Sequence, residues 1–243
     1  MGEIAILSDI HGNLTALESV FDELNPRRFE GIVLLGDLID YGPCSNEVLR
    51  FLIERAEQEK ILANIWGNHE RAVMTKDFGG FSTQRGADSA KATAESLDAE
   101  SYRYMERMNS CGKQEFFLGK CRCLAIHGSL EEPFWKSIEP DDVNGDYREY
   151  DYVFSGHSHC PHMFARFYRA DNPRYRDRKR TVFINPGSVG QPRNHNPRAS
   201  YAILDLESGR VELRNCLYDV EKEQRRFRAG VDHFYKMRLE RGI

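Results

Sequence analysis

The chain has 243 residues, 34 Lys+Arg against 38 Asp+Glu, a formal net charge of −4, and 40% hydrophobic against 30% charged residues. This is the balance of a folded globular chain. No stretch nears the ~18 apolar residues of a membrane span, and the slight acidity argues against broad coating of nucleic acid by clustered Lys/Arg. Residues 1–20 carry charge from Glu3 onward and lack a basic start, so no secretory leader is expected. The six cysteines read as reduced thiols of a cytoplasmic protein rather than as a disulfide framework.

An apolar run over 4–7 leads into Ser8-Asp9-Ile10-His11-Gly12-Asn13, the pattern of a buried strand ending in a polar loop. Asn13 opens a helical pattern in which Leu14, Leu17, Val20, Phe21 and Leu24 share a face, and Pro26 ends it. A second strand over 31–36 closes on Asp37. A helix over 44–59 turns Val48, Leu49, Leu52 and Ile53 inward, and a third strand over 61–66 closes on Gly67-Asn68-His69-Glu70. Alternating strands and helices imply a largely parallel sheet covered by helices, with ligands outside the carboxyl ends of its strands. Residues 76–112 are polar, Ser/Ala-rich and helix-forming, a helical insertion beside that rim.

Beyond residue 113 the pattern changes to alternation and turns. A hairpin over 114–118 and 122–126 ends on His127-Gly128. Val153-Phe154 leads into Ser155-Gly156-His157-Ser158-His159, residues 163–168 and 180–184 read as paired strands, and 199–206 with 210–215 as another hairpin. A charged amphipathic helix over about 219–240 closes the chain.

Five segments thus place Asp, Asn, His and Gly at strand ends. Turn and cap preferences explain Asp, Asn and Gly there one segment at a time, but not the repeated histidines. In Asp9-x-His11 and His157-x-His159 the ligand types stand two apart, and in extended backbone residues i and i+2 point to one side. Carboxylate, amide and imidazole donors without thiolate suit Mn²⁺, Fe²⁺, Ni²⁺ or Zn²⁺. Seven such groups exceed what one ion needs, which suggests two ions sharing a carboxylate.

Asp9-x-His11, Gly36-Asp37-x-x-Asp40, Gly67-Asn68-His69-Glu70, His127-Gly128 and Gly156-His157-x-His159 resemble, in order, the five motifs of the calcineurin-like metallophosphoesterases. Asn185-Pro186-Gly187-Ser188-Val189-Gly190-Gln191-Pro192-Arg193, followed by Ala199-Ser200-Tyr201-Ala202, resembles the small bacterial and archaeal phosphodiesterase-like branch. The resemblance implies a four-layer αββα sandwich, an α/β fold in which residues 1–243 form one domain. It implies two divalent metal ions, Mn²⁺ before Fe²⁺, Ni²⁺ or Zn²⁺. Asp9, His11 and His159 would hold the first, Asn68, His127 and His157 the second, and Asp37 would bridge them. His69 would face the substrate, oriented by Asp40. The arginines that the protein-phosphatase branch places after the second Asp of its second motif and before the third-motif glycine are here Tyr41 and Trp66, which argues against a protein phosphatase.

The expected activity is hydrolysis of phosphomonoester or phosphodiester bonds by in-line attack of a metal-bridging hydroxide, with His69 protonating the leaving oxygen or hydrogen-bonding a phosphoryl oxygen. The partner is a small phosphate ester, with no membrane; nucleic acid is a less favoured substrate, and the oligomeric state is open. A dinucleotide polyphosphate hydrolase or, against the two missing arginines, a protein phosphatase is the alternative, and a metal-binding scaffold without catalysis is the non-enzyme one. Arg193 and His162 are candidate substrate contacts. Glu70 reads as a first-turn charge that favours the helix dipole, Cys121 and Cys123 as small buried hydrophobes, and the basic residues of 166–180 as a solvated hairpin tip.

Overall fold

Ile4 to Leu7 are buried without interruption, as a strand covered on both faces must be. In the computed structural model, which describes residues 2–25, 29–169, 171, 179–227 and 232–243, they form β1 (Glu3–Leu7). It lies parallel to β2 (Phe29–Leu34), which lies parallel to β3 (Ile61–Asn64). The crossovers are α1 (Leu14–Leu24), capped by the Asn13 side chain on Ala16 N, and α2 (Ser45–Ala56). Two later strands, β9 (Ala199–Asp205) and β10 (Val211–Cys216), extend the sheet antiparallel on the other side of β1, in the order β10-β9-β1-β2-β3.

The second sheet has the order β4-β5-β6-β8-β7. Its strands are β4 (Lys113–Leu118), β5 (Cys121–Ile126), β6 (Tyr152–Ser155), β7 (His162–Tyr168) and β8 (Lys179–Asn185). The three central strands are parallel and the two edges antiparallel. The period-two alternation of strand side chains sorts the cores. Ile4 and Ile6 face a layer shared with Val33, Cys123, Ala125, Phe154, Ile184 and Leu204 between the sheets. Ala5 and Leu7 face the helices, among Leu17, Val20, Phe21, Val48 and Leu52. The outer face of the second sheet (Leu124, Ile126, Val153, Phe183) is covered by Ile138, Tyr147 and Tyr150 from the irregular segment 130–150. This is the expected two-sheet α/β architecture, with helices against the first sheet and that irregular segment as the layer over the second. Cys121 and Cys123 lie against the layer between the sheets.

Residues 76–112 hold α4 (Gln84–Ser96) and α5 (Ala99–Arg107), started by the caps Thr83 and Asp98. Leu97, Met105 and Met108 join the helix-side core beside Val73 of α3 (Asn68–Thr75), so the insertion is packed into the body. The expected helix over 219–240 is instead two, α6 (Val220–Arg226) and α7 (His233–Arg241). Phe227 is already extended, and the Asp232 carboxylate accepts Phe234 N–H to start a new helix. Pro26 and the arginines 174, 176 and 178 lie outside the described residues. Among those described, no helix is long and apolar enough to cross a membrane.

Candidate metal centre

The ligand-type residues follow β1, β2, β3, β5 and β6 directly, at one rim of the two sheets. Their backbone is not extended as expected. Asp9, His11, Asp37, Asp40, His157 and His159 have φ of +53°, +47°, +52°, +71°, +67° and +59°. Left-handed kinks, costing about 1–2 kcal/mol each, turn Asp9, His11, Asp37, His157 and His159 into one cluster and Asp40 onto His69. Asp and His are among the residues that tolerate such φ best, and a cluster of them marks a site the surrounding structure must enforce.

The enforcing contacts are visible. Asp9 N–H and His11 N–H donate to the Gly36 and Asp37 carbonyls at 3.1 and 2.9 Å, so β1 and β2 continue pairing beyond their strand ends. The Asp9 carbonyl accepts from Ser188 Oγ at 2.6 Å and Gly190 N–H at 3.1 Å. A Cβ on Gly190 would stand 1.7 Å from the Ile10 carbonyl oxygen, and one on Gly67 2.1 Å from Asp37 Oδ1. Both glycines are therefore required by close approach. Glu70, read as a helix-dipole charge, does more. Fully buried, its carboxylate accepts N–H groups of Gly67, Asp37 and Leu38 at 2.8, 2.8 and 2.7 Å. It ties the start of α3 to the loop that carries Asp37.

Two ligand groups result: Asp9, His11, Asp37 and His159, and Asp37, His127 and His157, each with its ligand atoms within 4.8 Å of one another. Asp37 belongs to both. Asn68 Oδ1 stands 3.1 Å from His127 Nε2 and 3.0 Å from His157 Nδ1. The remaining ring nitrogens decide the chemistry. Nδ1 of His11, His127 and His159 each faces a carbonyl oxygen, of Ile39, Leu35 and Gln191, at 3.2, 2.7 and 2.5 Å. Those nitrogens carry the protons, because a carbonyl only accepts. In His11 and His159, whose rings stay neutral, bare Nε2 lone pairs therefore point inward, while His127 Nε2 faces Asp37 Oδ2 at 3.3 Å. His11 and His159 Nε2 are 3.2 Å apart, and His159 Nε2 is 3.2 Å from Asp9 Oδ1, which has no hydrogen-bond partner. Acceptors facing acceptors in a dry site repel unless a cation lies between them. The residues present fit a metal centre, with its ligands oriented by backbone carbonyls.

The electrostatics agree. Burial first, and neighbouring cationic groups second, hold His11 and His159 well below the usual histidine range and His157 down to about 3, so these rings are neutral and ready to coordinate. Burial, with Asp37 nearby, pushes Asp9 up to about 7. Burial also opposes the charged forms of Asp37 and His127, but their mutual attraction wins: Asp37 lies well below the usual carboxylate range and His127 rises to about 9.

His69 is buried at the first turn of α3, its Nδ1 2.7 Å from Asp40 Oδ2 and its Nε2 4.0 Å from Asp37 Oδ2. Asp40 Oδ1 accepts from Ser89 Oγ at 2.6 Å, Thr93 Oγ1 at 2.8 Å and Tyr41 N–H at 2.7 Å. The insertion thus fixes the carboxylate that orients His69. Ser89 and Thr93 stand four apart on α4, one face of a helix, which is the only signal for them in the sequence. A cavity of about 360 Å³ opens over the cluster, lined by Asp37, Asn68, His69, His157, His159 and Arg193, with Tyr235 and Arg238 of α7 on its wall. A larger one of about 670 Å³ lies beyond Tyr41 and Arg85 but holds none of the ligands. His162 starts β7 with Nδ1 on the Cys160 carbonyl at 3.0 Å and does not line the metal-side cavity. Trp66 donates Nε1–H to the Met105 carbonyl at 2.7 Å, a packing contact, whereas Tyr41 sits edge-on to the His69 ring at 4.4 Å.

The model of the calcineurin-like phosphoesterase superfamily domain matches residues 3–209. The chain belongs to this superfamily. It is 30% identical over 223 residues to an uncharacterized protein of Methanocaldococcus jannaschii, covering 90% of this chain and 89% of that one. A crystal structure of a metallophosphoesterase from Sphaerobacter thermophilus superposes with a TM-score of 0.74 at 27% identity, over 99% of this chain and 100% of that one. A hypothetical protein from Pyrococcus horikoshii OT3 gives 0.81 at 21% identity, over 100% and 99%, which speaks for the fold. The superfamily model ends at residue 209, so α6 and α7, with Tyr235 and Arg238, lie outside it.

Proposed function

We propose that the chain is a dinuclear metal-dependent phosphoesterase that hydrolyses small phosphate esters. The observation that carries this reading is that His11 and His159 commit Nδ1 to backbone carbonyls and turn Nε2 on one another and, from His159, on the unpartnered Asp9 Oδ1 at 3.2 Å. Asp9, His11 and His159 would hold one divalent ion, Asn68, His127 and His157 the second, and Asp37 both; Mn²⁺ is the first candidate for an oxygen- and nitrogen-rich site. Bound there, two ions supply charge neutralisation for the phosphoryl oxygens and lower the pKa of water at the site.

The chain's own groups then set the proton inventory. Burial works against a charged His69, but Asp37 and the Asp40 hydrogen bond outweigh it and raise its pKa. With Nδ1–H spent on Asp40, the second proton sits on Nε2, facing the cavity, where a leaving oxygen can take it. Asp40, held by the Ser89 and Thr93 hydroxyls and the Tyr41 N–H, orients the ring by accepting at Oδ2 and favours the imidazolium.

Turnover of p-nitrophenyl phosphate and bis-p-nitrophenyl phosphate, with Mn²⁺, Ni²⁺, Fe²⁺ or Zn²⁺ supplied, tests the reading. His69→Ala should lower turnover of an alkyl ester, a poor leaving group, by about 10²–10⁴-fold, and that of p-nitrophenyl esters far less. Absence of turnover of both esters with every metal would leave a metal-binding scaffold instead.

A further inference from the structure

One wall of the cavity over the ligand cluster is cationic. Arg193, from the loop after β8, and Arg238, from α7, both line it. Gln191 joins them, its Oε1 accepting from Arg193 Nη2 at 3.4 Å and from Arg238 Nη1 at 3.3 Å. Arg238 Nε donates to the main-chain oxygen of Ile243, and its guanidinium lies 5.1 Å from the Phe234 ring centroid. Arg193 Nε is buried with no hydrogen-bond partner. Among the described residues, neither guanidinium is paired with a side-chain carboxylate.

Two guanidiniums held together in this way repel one another, and burial, followed by Arg193, brings Arg238 down to about 10. The charge of Arg193 also reaches His11, His157 and His159, so it stands beside the ligand cluster. The element that delivers Arg238 is docked by aromatic contact: Tyr235 stacks on Tyr41 with ring centroids 4.4 Å apart and planes 22° from parallel. An anion held by both arginines would relieve the repulsion, and guanidinium forks match phosphate oxygens.

Resting on the phosphoesterase reading, we propose that Arg193 and Arg238 form a two-armed clamp for a phosphate dianion, and that this clamp selects phosphomonoesters over diesters. A monoester near neutral pH presents three non-bridging oxygens and close to two negative charges. A diester presents two such oxygens and one charge, so it gains less from a second guanidinium.

Calorimetric titration of the Mn²⁺-loaded protein with inorganic phosphate tests the clamp, beside KM and kcat for p-nitrophenyl phosphate and bis-p-nitrophenyl phosphate. Arg238→Gln and Arg193→Gln should each weaken phosphate binding by about 10- to 100-fold, the worth of a charged hydrogen bond. KM for the monoester should rise with it, and the diester should change little. Arg238→Lys should recover part of the affinity, since charge returns without the fork. The two glutamine variants act from different elements, so a loss caused by undocking of α7 would appear in the melting midpoint of one and not the other. Unchanged phosphate affinity in both variants overturns the clamp, and equal losses on both esters overturn its selectivity. A parent protein whose phosphate affinity depends on both arginines but which turns over neither ester keeps the clamp and removes the phosphoesterase reading. Turnover with phosphate affinity indifferent to both arginines does the reverse.

Discussion

Glu70→Gln isolates what a buried carboxylate does for the site without adding or removing volume. In the parent, Oε2 accepts from Gly67 N–H and Asp37 N–H at 2.8 Å each, and Oε1 from Leu38 N–H at 2.7 Å and, more weakly, Ile39 N–H at 3.4 Å. An amide has one acceptor end, so its NH₂ must face donors whichever way it turns. The cheaper choice gives up the Oε1 side and leaves Leu38 N–H buried and unsatisfied, at about 1–3 kcal/mol. The two bonds kept on the other side fall from charge-assisted to neutral, roughly halving their strength. Against this, the substitution removes a charge whose pKa is raised by burial first and by Asp37 second, a relief that offsets part of the loss. The balance is about 2–4 kcal/mol of destabilisation, or about 5–15 °C in melting midpoint for a chain of this size. The loss falls on the loop that holds Asp37, so metal retention should drop as well. Differential scanning calorimetry and metal content after dialysis give the two readouts. A Glu70→Gln protein that melts with the parent and keeps its metal would refute the role assigned to Glu70.

Two further outcomes follow from the same structure. Chelation of the bound ions should lower the melting midpoint by about 5–10 °C, the worth of a ligand at 100-fold over its Kd, and re-addition of Mn²⁺ should restore it; an unchanged midpoint would mean that no ion is held in the native state. Glu223 is a titration test on a carboxyl outside the two ligand groups. Its Oε2 accepts from Thr15 N–H at 3.1 Å and Thr15 Oγ1 at 2.6 Å, its Oε1 has no partner, and burial raises its pKa above 4.5 despite those donors and Arg226. A carboxyl whose pKa is higher folded than unfolded binds its proton more tightly in the native state, so its contribution is greatest below the unfolded value and declines as pH rises through the folded one. Urea unfolding of Glu223→Gln should therefore gain on the parent between pH 4.5 and pH 7. An equal difference at both pH values would count against this account.

The strand ends were legible because their signal is local: an apolar run, then glycine and a ligand-type residue, repeated along the chain. Which residues stand at the rim follows from that pattern, but how they converge does not. The expectation for Asp9 and His11 used the two-residue period of extended backbone, whereas both lie at positive φ. A loop's dihedrals are set by what pairs with it, here the continued ladder to Gly36 and Asp37 and the Ser188–Gly190 turn against the Asp9 carbonyl, partners far away in sequence. The single helix expected over 219–240 failed for a nearer reason. Amphipathic period survives a break, and Asp232 is an N-cap only once the chain before it has left the helix.

The residues that sequence reading undervalued share a property: each acts on a motif residue from a segment without a motif. Glu70 read as a charge on the helix dipole because its four N–H partners come from backbone, which carries no residue-type signal. Ser89 and Thr93 looked like helix filler, yet they hold Asp40. Arg238 sits in a terminal helix outside the superfamily match and reaches the cavity because Tyr235 finds Tyr41. That pairing also changes what Tyr41 means. As the residue that stands where a related branch keeps an arginine, it first signalled a lost cation beside the site. In the fold it is the docking point for the helix that brings Arg238 to the same cavity, so a cation reaches the rim from another element.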